Sequence, residues 1–126
     1  MSVAPQLRDV SQADLDQAIS RHGMFLAARP GGARAVLTHA NLNSLNLSGV
    51  NLAQADFYGA CLARAQLSGA KLDSAVFFGA DLRHANLTKA SLVHADLRGA
   101  LLRGAVLNGA DLTEADLRDG RRADRD

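Results

Sequence analysis

From residue 37 onward, a large apolar side chain returns every fifth position. Leu37, Leu42, Leu47 and Leu52 are followed by Phe57, Leu62, Leu67 and Leu72, and the series runs unbroken to Leu117. Between these positions the chain is mostly small or polar, as in "ADFYG ACLAR AQLSG AKLDS AVFFG ADLRH ANLTK". Counted from Ala35, residues 35–119 form seventeen pentads without insertion or deletion. The third position is Leu in fifteen of them, and Phe57 and Phe77 in the other two. The first is Ala in fifteen, with Leu45 and Val50 the exceptions. The second is often Asn or Asp, and the last two are polar, small or glycine.

A period of five suits neither regular element. On an α-helix five residues advance about 500°, so the leucines would spiral over every side. On a flat strand a step of five changes face each time, so alternate leucines would meet solvent. The leucines share one environment only if the chain turns a corner once per pentad. That predicts an all-β solenoid with Leu pointing inward and Ala close to each corner. Asn, Asp and Gly supply the turn chemistry. Seven pentads end in glycine, and six of these are odd-numbered. The pairs Phe57–Tyr58 and Phe77–Phe78 lie twenty residues apart, each followed by Gly-Ala. Both regularities favour four sides, with one coil every twenty residues.

These pentads resemble the pentapeptide-repeat proteins, whose consensus is A-(D/N)-L-x-x. The resemblance covers 85 of the 126 residues. It implies a right-handed quadrilateral β-helix of about four coils, stacked at strand spacing to a height of about 20 Å.

Solenoid ends need covering. Upstream, Ser11 with Asp14 resembles a capping box. Leu15, Ile19, His22 and Leu26 follow helical spacing with Phe25 beside them, and Pro30-Gly31-Gly32 ends the pattern. This predicts an N-terminal α-helical cap over about residues 12–27, folded on the first coil. The chain then divides into an N-terminal segment 1–34, the repeat 35–119 and a charged tail 120–126. The tail "GRRADRD" is too polar to cover the last coil. Leu102, Leu107, Leu112 and Leu117 are therefore expected at an open end, where a two-fold contact would close a homodimer.

Composition narrows the chemistry. Net charge is +1, and within 35–119 seven Lys/Arg stand against eight Asp/Glu, so nucleic acid is not an expected partner. Arg64, Arg83, His84 and Arg103 share one side of the coil, and we read them as a solvated face. The single cysteine, Cys61, allows no internal disulfide and fits an inert surface thiol. No signal segment or membrane span is recognisable, which points to a cytoplasmic protein. On a four-sided coil His39, His84 and His94 fall on three different sides. We therefore expect no metal site, cofactor, catalytic group or enzyme activity.

What remains is the aromatic set. Phe57 and Phe77 occupy the inward position, so Tyr58 and Phe78 point outward on one side, with Val76 and Val36 at outward second positions. We expect this patch to meet a protein partner. The expected function is a non-enzymatic interaction or scaffold module. The resemblance also implies an alternative, since some members of the family mimic DNA and protect DNA gyrase. Those relatives are long and strongly acidic, unlike this short, near-neutral chain.

Overall fold

The computed structural model describes residues 6–120. The charged tail over 121–126 lies outside the described residues, as do the first five. Three short elements precede or open the repeat: β1 (Arg8–Asp9), α1 (Gln12–Leu26) and β2 (Ala40–Asn41).

The corner expected of each pentad is present. The N–H of a first-position Ala donates to the carbonyl of the third-position residue before it, as Ala60 does to Phe57 at 3.0 Å. The fifth residue between them has positive φ, 63° at Gly59 and 60° at Arg64. A bond from i+3 to i with positive φ at i+2 is a type II turn. Stacking follows at a spacing of twenty residues. Parallel bridges run from Val36↔Asp56 to Asp96↔Asp116, each between second positions of successive coils. The N–H of Leu37 reaches Asp56 O at 2.7 Å, that of His39 reaches Tyr58 O at 2.9 Å, and that of Asp56 reaches back to Ala35 O at 3.0 Å.

These bonds use the N–H groups at positions one, two, three and five, and leave only the fourth. The second-position Asn or Asp supplies its acceptor. Asp56 Oδ1 accepts from Tyr58 N–H at 2.9 Å, Asn46 Oδ1 from Ser48 at 3.0 Å and Asp111 Oδ1 from Thr113 at 3.0 Å. Such a bond, two residues on, is an Asx turn. Where the second residue is Asn or Asp, it therefore closes the fourth N–H as well as forming the turn; the other pentads, such as those with Val36 and Leu101, keep the same coil without that bond.

The core is a stack of third-position side chains walled by first-position alanines. Leu42 through Leu97 are 0–2% exposed, with Phe57 and Phe77 at 0%. The rings of Phe57 and Phe77 stack one coil apart.

At the N-terminal end, α1 begins at Ser11, whose Oγ accepts from Asp14 N–H at 3.0 Å. Leu15 is fully buried in the core. Gln12 makes paired bonds with the backbone of Asn46, at 2.9 and 2.8 Å. His22 is fully buried, and both ring nitrogens are used. Nδ1 accepts from Ala35 N–H at 2.9 Å, and Nε2 donates to Ala53 O at 2.7 Å. A leucine at this helical position would fill the space without bonding either group. Sequence reading missed β1, which pairs in parallel with β2 (Arg8↔Ala40, Asp9↔Asn41) and lies on the first coil's edge. Two residues carry no periodicity to detect.

Candidate functional site

Positions two and four of a pentad flank an inward side chain, so both face outward. The coil height then sets outward side chains one above another. On the side built by the pentads starting at Ala35, Ala55, Ala75, Ala95 and Ala115, the fourth positions are Thr38, Tyr58, Phe78, Arg98 and Arg118. Tyr58 and Phe78 stack with centroids 5.6 Å apart and planes 5° off parallel. His39 meets the Tyr58 ring edge-on, at 5.4 Å and 85°. The Arg98 guanidinium lies 5.1 Å from the Phe78 centroid. The result is one continuous ladder, His39–Tyr58–Phe78–Arg98. Arg98 is held in place by Asp96, through bonds of 2.8 and 2.7 Å. The same bonds hold the Asp96 carboxyl below its ordinary range, against the opposing effect of burial.

The patch differs in outline from the expected one. Tyr58 is 44% exposed, but Phe78 is half-buried between Tyr58 and Arg98, and the backbone at Gly120 passes close to its ring. Val76 is half-buried and Val36 is 54% exposed, but Asp56 pairs with both and separates them. Leu7 joins instead. With His39, Tyr58, Gly59, Phe78 and Gly79 it lines a shallow groove of 290 Å³. Arg98 was legible in the sequence, because it follows Tyr58 and Phe78 at the same interval of twenty. Leu7 lies outside the repeat and left no signal.

At the other end of the stack, Leu102, Leu107 and Leu112 are half-buried and Leu117 is 55% exposed. Their equivalents one coil earlier, Leu82, Leu87, Leu92 and Leu97, are 0–2% exposed. Among the described residues, the N–H groups of Leu102, Leu107 and Leu112 make no hydrogen bond, whereas Leu82 donates to Leu101 O at 2.8 Å. Among the described residues, the last coil presents an apolar face, and its N–H groups at Leu102, Leu107 and Leu112 are unpaired.

His94 and Cys61 stand apart from each other. His94 pairs with Glu114 at 3.2 Å, on the side opposite His84. The Cys61 thiol is half-buried and donates to Asp81 Oδ2 at 3.7 Å. Among the described residues, no three His, Cys, Asp or Glu side chains are placed to share a metal ion. None of the described helices is long and apolar enough to cross a membrane.

Comparison with known proteins agrees with this geometry. The family model for pentapeptide repeats matches eight copies, over residues 33–73, 60–99 and 80–119. The chain belongs to the pentapeptide-repeat family, whose members form right-handed quadrilateral β-helices. The crystal structure of Rfr23, a pentapeptide repeat protein from the cyanobacterium Cyanothece 51142, is 41% identical with a TM-score of 0.66. That match covers 68% of this chain and 57% of Rfr23, so the chain spans little over half of that protein. The pentapeptide repeat protein alr5209 from Nostoc Pcc 7120 is 32% identical, over 84% of this chain and 78% of its own, with a TM-score of 0.66. QnrB1, a plasmid-mediated fluoroquinolone resistance protein, is 24% identical over 67% of this chain and 45% of its own. Its TM-score of 0.36 supports no functional comparison. No curated protein matches the chain in sequence.

Proposed function

We propose that this chain is a non-enzymatic protein-interaction module: a right-handed quadrilateral β-helix of a little over four coils, capped at its N-terminal end by α1. The observation that carries this reading is the ladder His39–Tyr58–Phe78–Arg98 with Leu7 beside it. It offers stacked rings, an apolar edge and a positioned guanidinium on a rigid face, the residue types enriched at protein interfaces. The partner is a protein that inserts an apolar or aromatic side chain against Tyr58 and Phe78. A second copy of the chain is the proposed partner at the other end, through Leu102, Leu107, Leu112 and Leu117. The working compartment is the cytoplasm.

The charge distribution argues against a DNA-like rod acting on gyrase. The side containing Arg64, Arg83 and Arg103 has two carboxylates, Asp81 and the Asp9 that β1 sets beside Asn41, and within the repeat the next side has Lys89 as its one charged residue. Two of four faces are therefore net positive, where a DNA mimic requires acidic ones. A gyrase supercoiling assay with a quinolone is expected to show no protection.

The interaction reading is tested by capture from the native host followed by cross-linking. Tyr58→Ser with Phe78→Ser is expected to abolish the captured partner while the thermal midpoint stays within a few degrees. Serine already occupies the fourth position at Ser48 and Ser68. Undiminished capture by the double variant would remove the ladder from the interface.

A further inference from the structure

The next side of the coil carries a second constellation. Arg64, Arg83, His84 and Arg103, with Ala63, line a polar groove of 270 Å³. The backbone ladder fixes their spacing. Arg64 N–H donates to Arg83 O, and His84 N–H donates to Arg103 O, both at 3.0 Å. Three successive coils therefore bring three guanidiniums and an imidazole to one place. Ala63 leaves the space beside them, and Gly104 leaves room for the His84 ring, which a Cβ there would strike.

The charges are unequally matched. Arg83 is held by Asp81, with Nε at 2.9 Å from Oδ1 and Nη2 at 2.8 Å from Oδ2. Among the described residues, the side chains of Arg64 and Arg103 have no hydrogen bond or ion pair. The groove thus retains about two positive charges and a surplus of N–H donors. A lone carboxylate offers too few acceptors and too little charge. A phosphate monoester carries roughly −1.5 to −2 and three acceptor oxygens, which arginine forks bind in pairs.

We infer that the groove between Arg64 and Arg103 is a binding site for a phosphate dianion. The group sits over Ala63, bridged by the Arg64 and Arg103 guanidiniums, with His84 a further donor. Asp81 orients Arg83 at the edge of the site. Its source is either a phosphorylated side chain on a protein or a small phosphate compound. This face is distinct from that of Tyr58 and Phe78, so the two readings stand or fall separately.

The test is titration of the full chain, followed by backbone amide shifts, with pyrophosphate and with a phosphoserine peptide. Saturable shifts are expected at Arg64, Arg83, His84 and Arg103. Tighter binding of the peptide assigns a phosphoprotein, and tighter binding of pyrophosphate assigns a small phosphate compound. Arg64→Ser with Arg103→Ser is expected to weaken binding about tenfold or more, the effect of losing a charge-assisted bond. Serine is already present in equivalent positions at Ser44 and Ser68, so the fold is kept. Lys71→Ser, on the opposite side, is expected to change nothing. The proposal is overturned if neither probe gives saturable shifts, or if the double variant binds equally well. It is also overturned if the unphosphorylated peptide matches the phosphorylated one, or if Lys71→Ser weakens binding as much.

Discussion

The rings of Phe57 and Phe77 lie face to face in the core, centroids 4.7 Å apart and planes 2° off parallel. Both occupy a position that is Leu elsewhere, and both are fully buried. Stacking of coils, rather than any local contact, brings them together. Phe77→Ala is expected to cost about 3–5 kcal/mol, as truncation of buried Phe does. Combined with Phe57→Ala, the losses should be non-additive, with a coupling of about 0.5–1.5 kcal/mol from the ring pair. Urea denaturation of the two single variants and the double variant measures this. Strict additivity would mean that the rings do not interact.

His22 joins α1 to the first coil through two hydrogen bonds, a buried one from Ala35 N–H and a half-buried one to Ala53 O. Replacing it with Leu keeps the bulk but strands Ala35 N–H and Ala53 O. The expected cost is about 1–3 kcal/mol for each buried group left unpaired. Hydrogen exchange should show the loss first at Ala35. Unchanged protection there would show that the imidazole is dispensable.

A Cβ at Gly59 would lie 2.6 Å from the His39 ring, and φ there is +63°. Gly59→Ala therefore meets two penalties, a clash and a left-handed backbone, the second worth about 1 kcal/mol or more. Adding His39→Ser should recover the clash and leave the backbone cost. Thermal melts of both variants separate the two. Full recovery in the double variant would rule out the backbone contribution.

Arginine bonds from Arg83, Arg98 and Arg118 hold the carboxyls of Asp81, Asp96 and Asp116 below their ordinary value of 3.8, with Asp116 at about 2. Because the folded state binds protons less readily, these groups stabilise it above the unfolded value, and the contribution disappears as pH falls through the folded ones. Stability should therefore decline between about pH 4 and pH 2. Arg98→Ala should flatten part of that decline. Urea midpoints across this range check it, and an identical slope in the variant would exclude the Asp96 pair.

The proposed end-to-end dimer would cover Leu102, Leu107, Leu112 and Leu117, each forgoing roughly 1 kcal/mol or more of burial in a single chain. Light scattering at micromolar concentration is expected to give twice the chain mass. Leu107→Glu with Leu112→Glu should return the monomer. A monomer mass for the unaltered chain, or a dimer that survives both glutamates, would end the proposal.

The repeat by itself determined the inward column, the turn at each pentad and the four-sided cross-section. A period of five leaves the leucines one consistent environment, and the aromatic pairs mark its length. Glycine at the fifth position is not what makes the turn, since positive φ occurs there on all sides, including at His39, Gln54 and Lys89. What separates Gly59 and Gly104 is the imidazole lying over each from the coil before. The Asn and Asp positions were legible as turn formers, but not as acceptors for the fourth N–H, because that bond depends on where the other four N–H groups go. His22 looked like one more member of an apolar stripe until the first coil placed Ala35 and Ala53 against its two nitrogens. The period of twenty already set residues 64, 83, 84 and 103 on one side of the coil, where they read as solvated charge. What the tertiary structure decided is that they line one groove and that Asp81 engages Arg83 alone, because side-chain reach and pairing depend on contacts between coils rather than on the period.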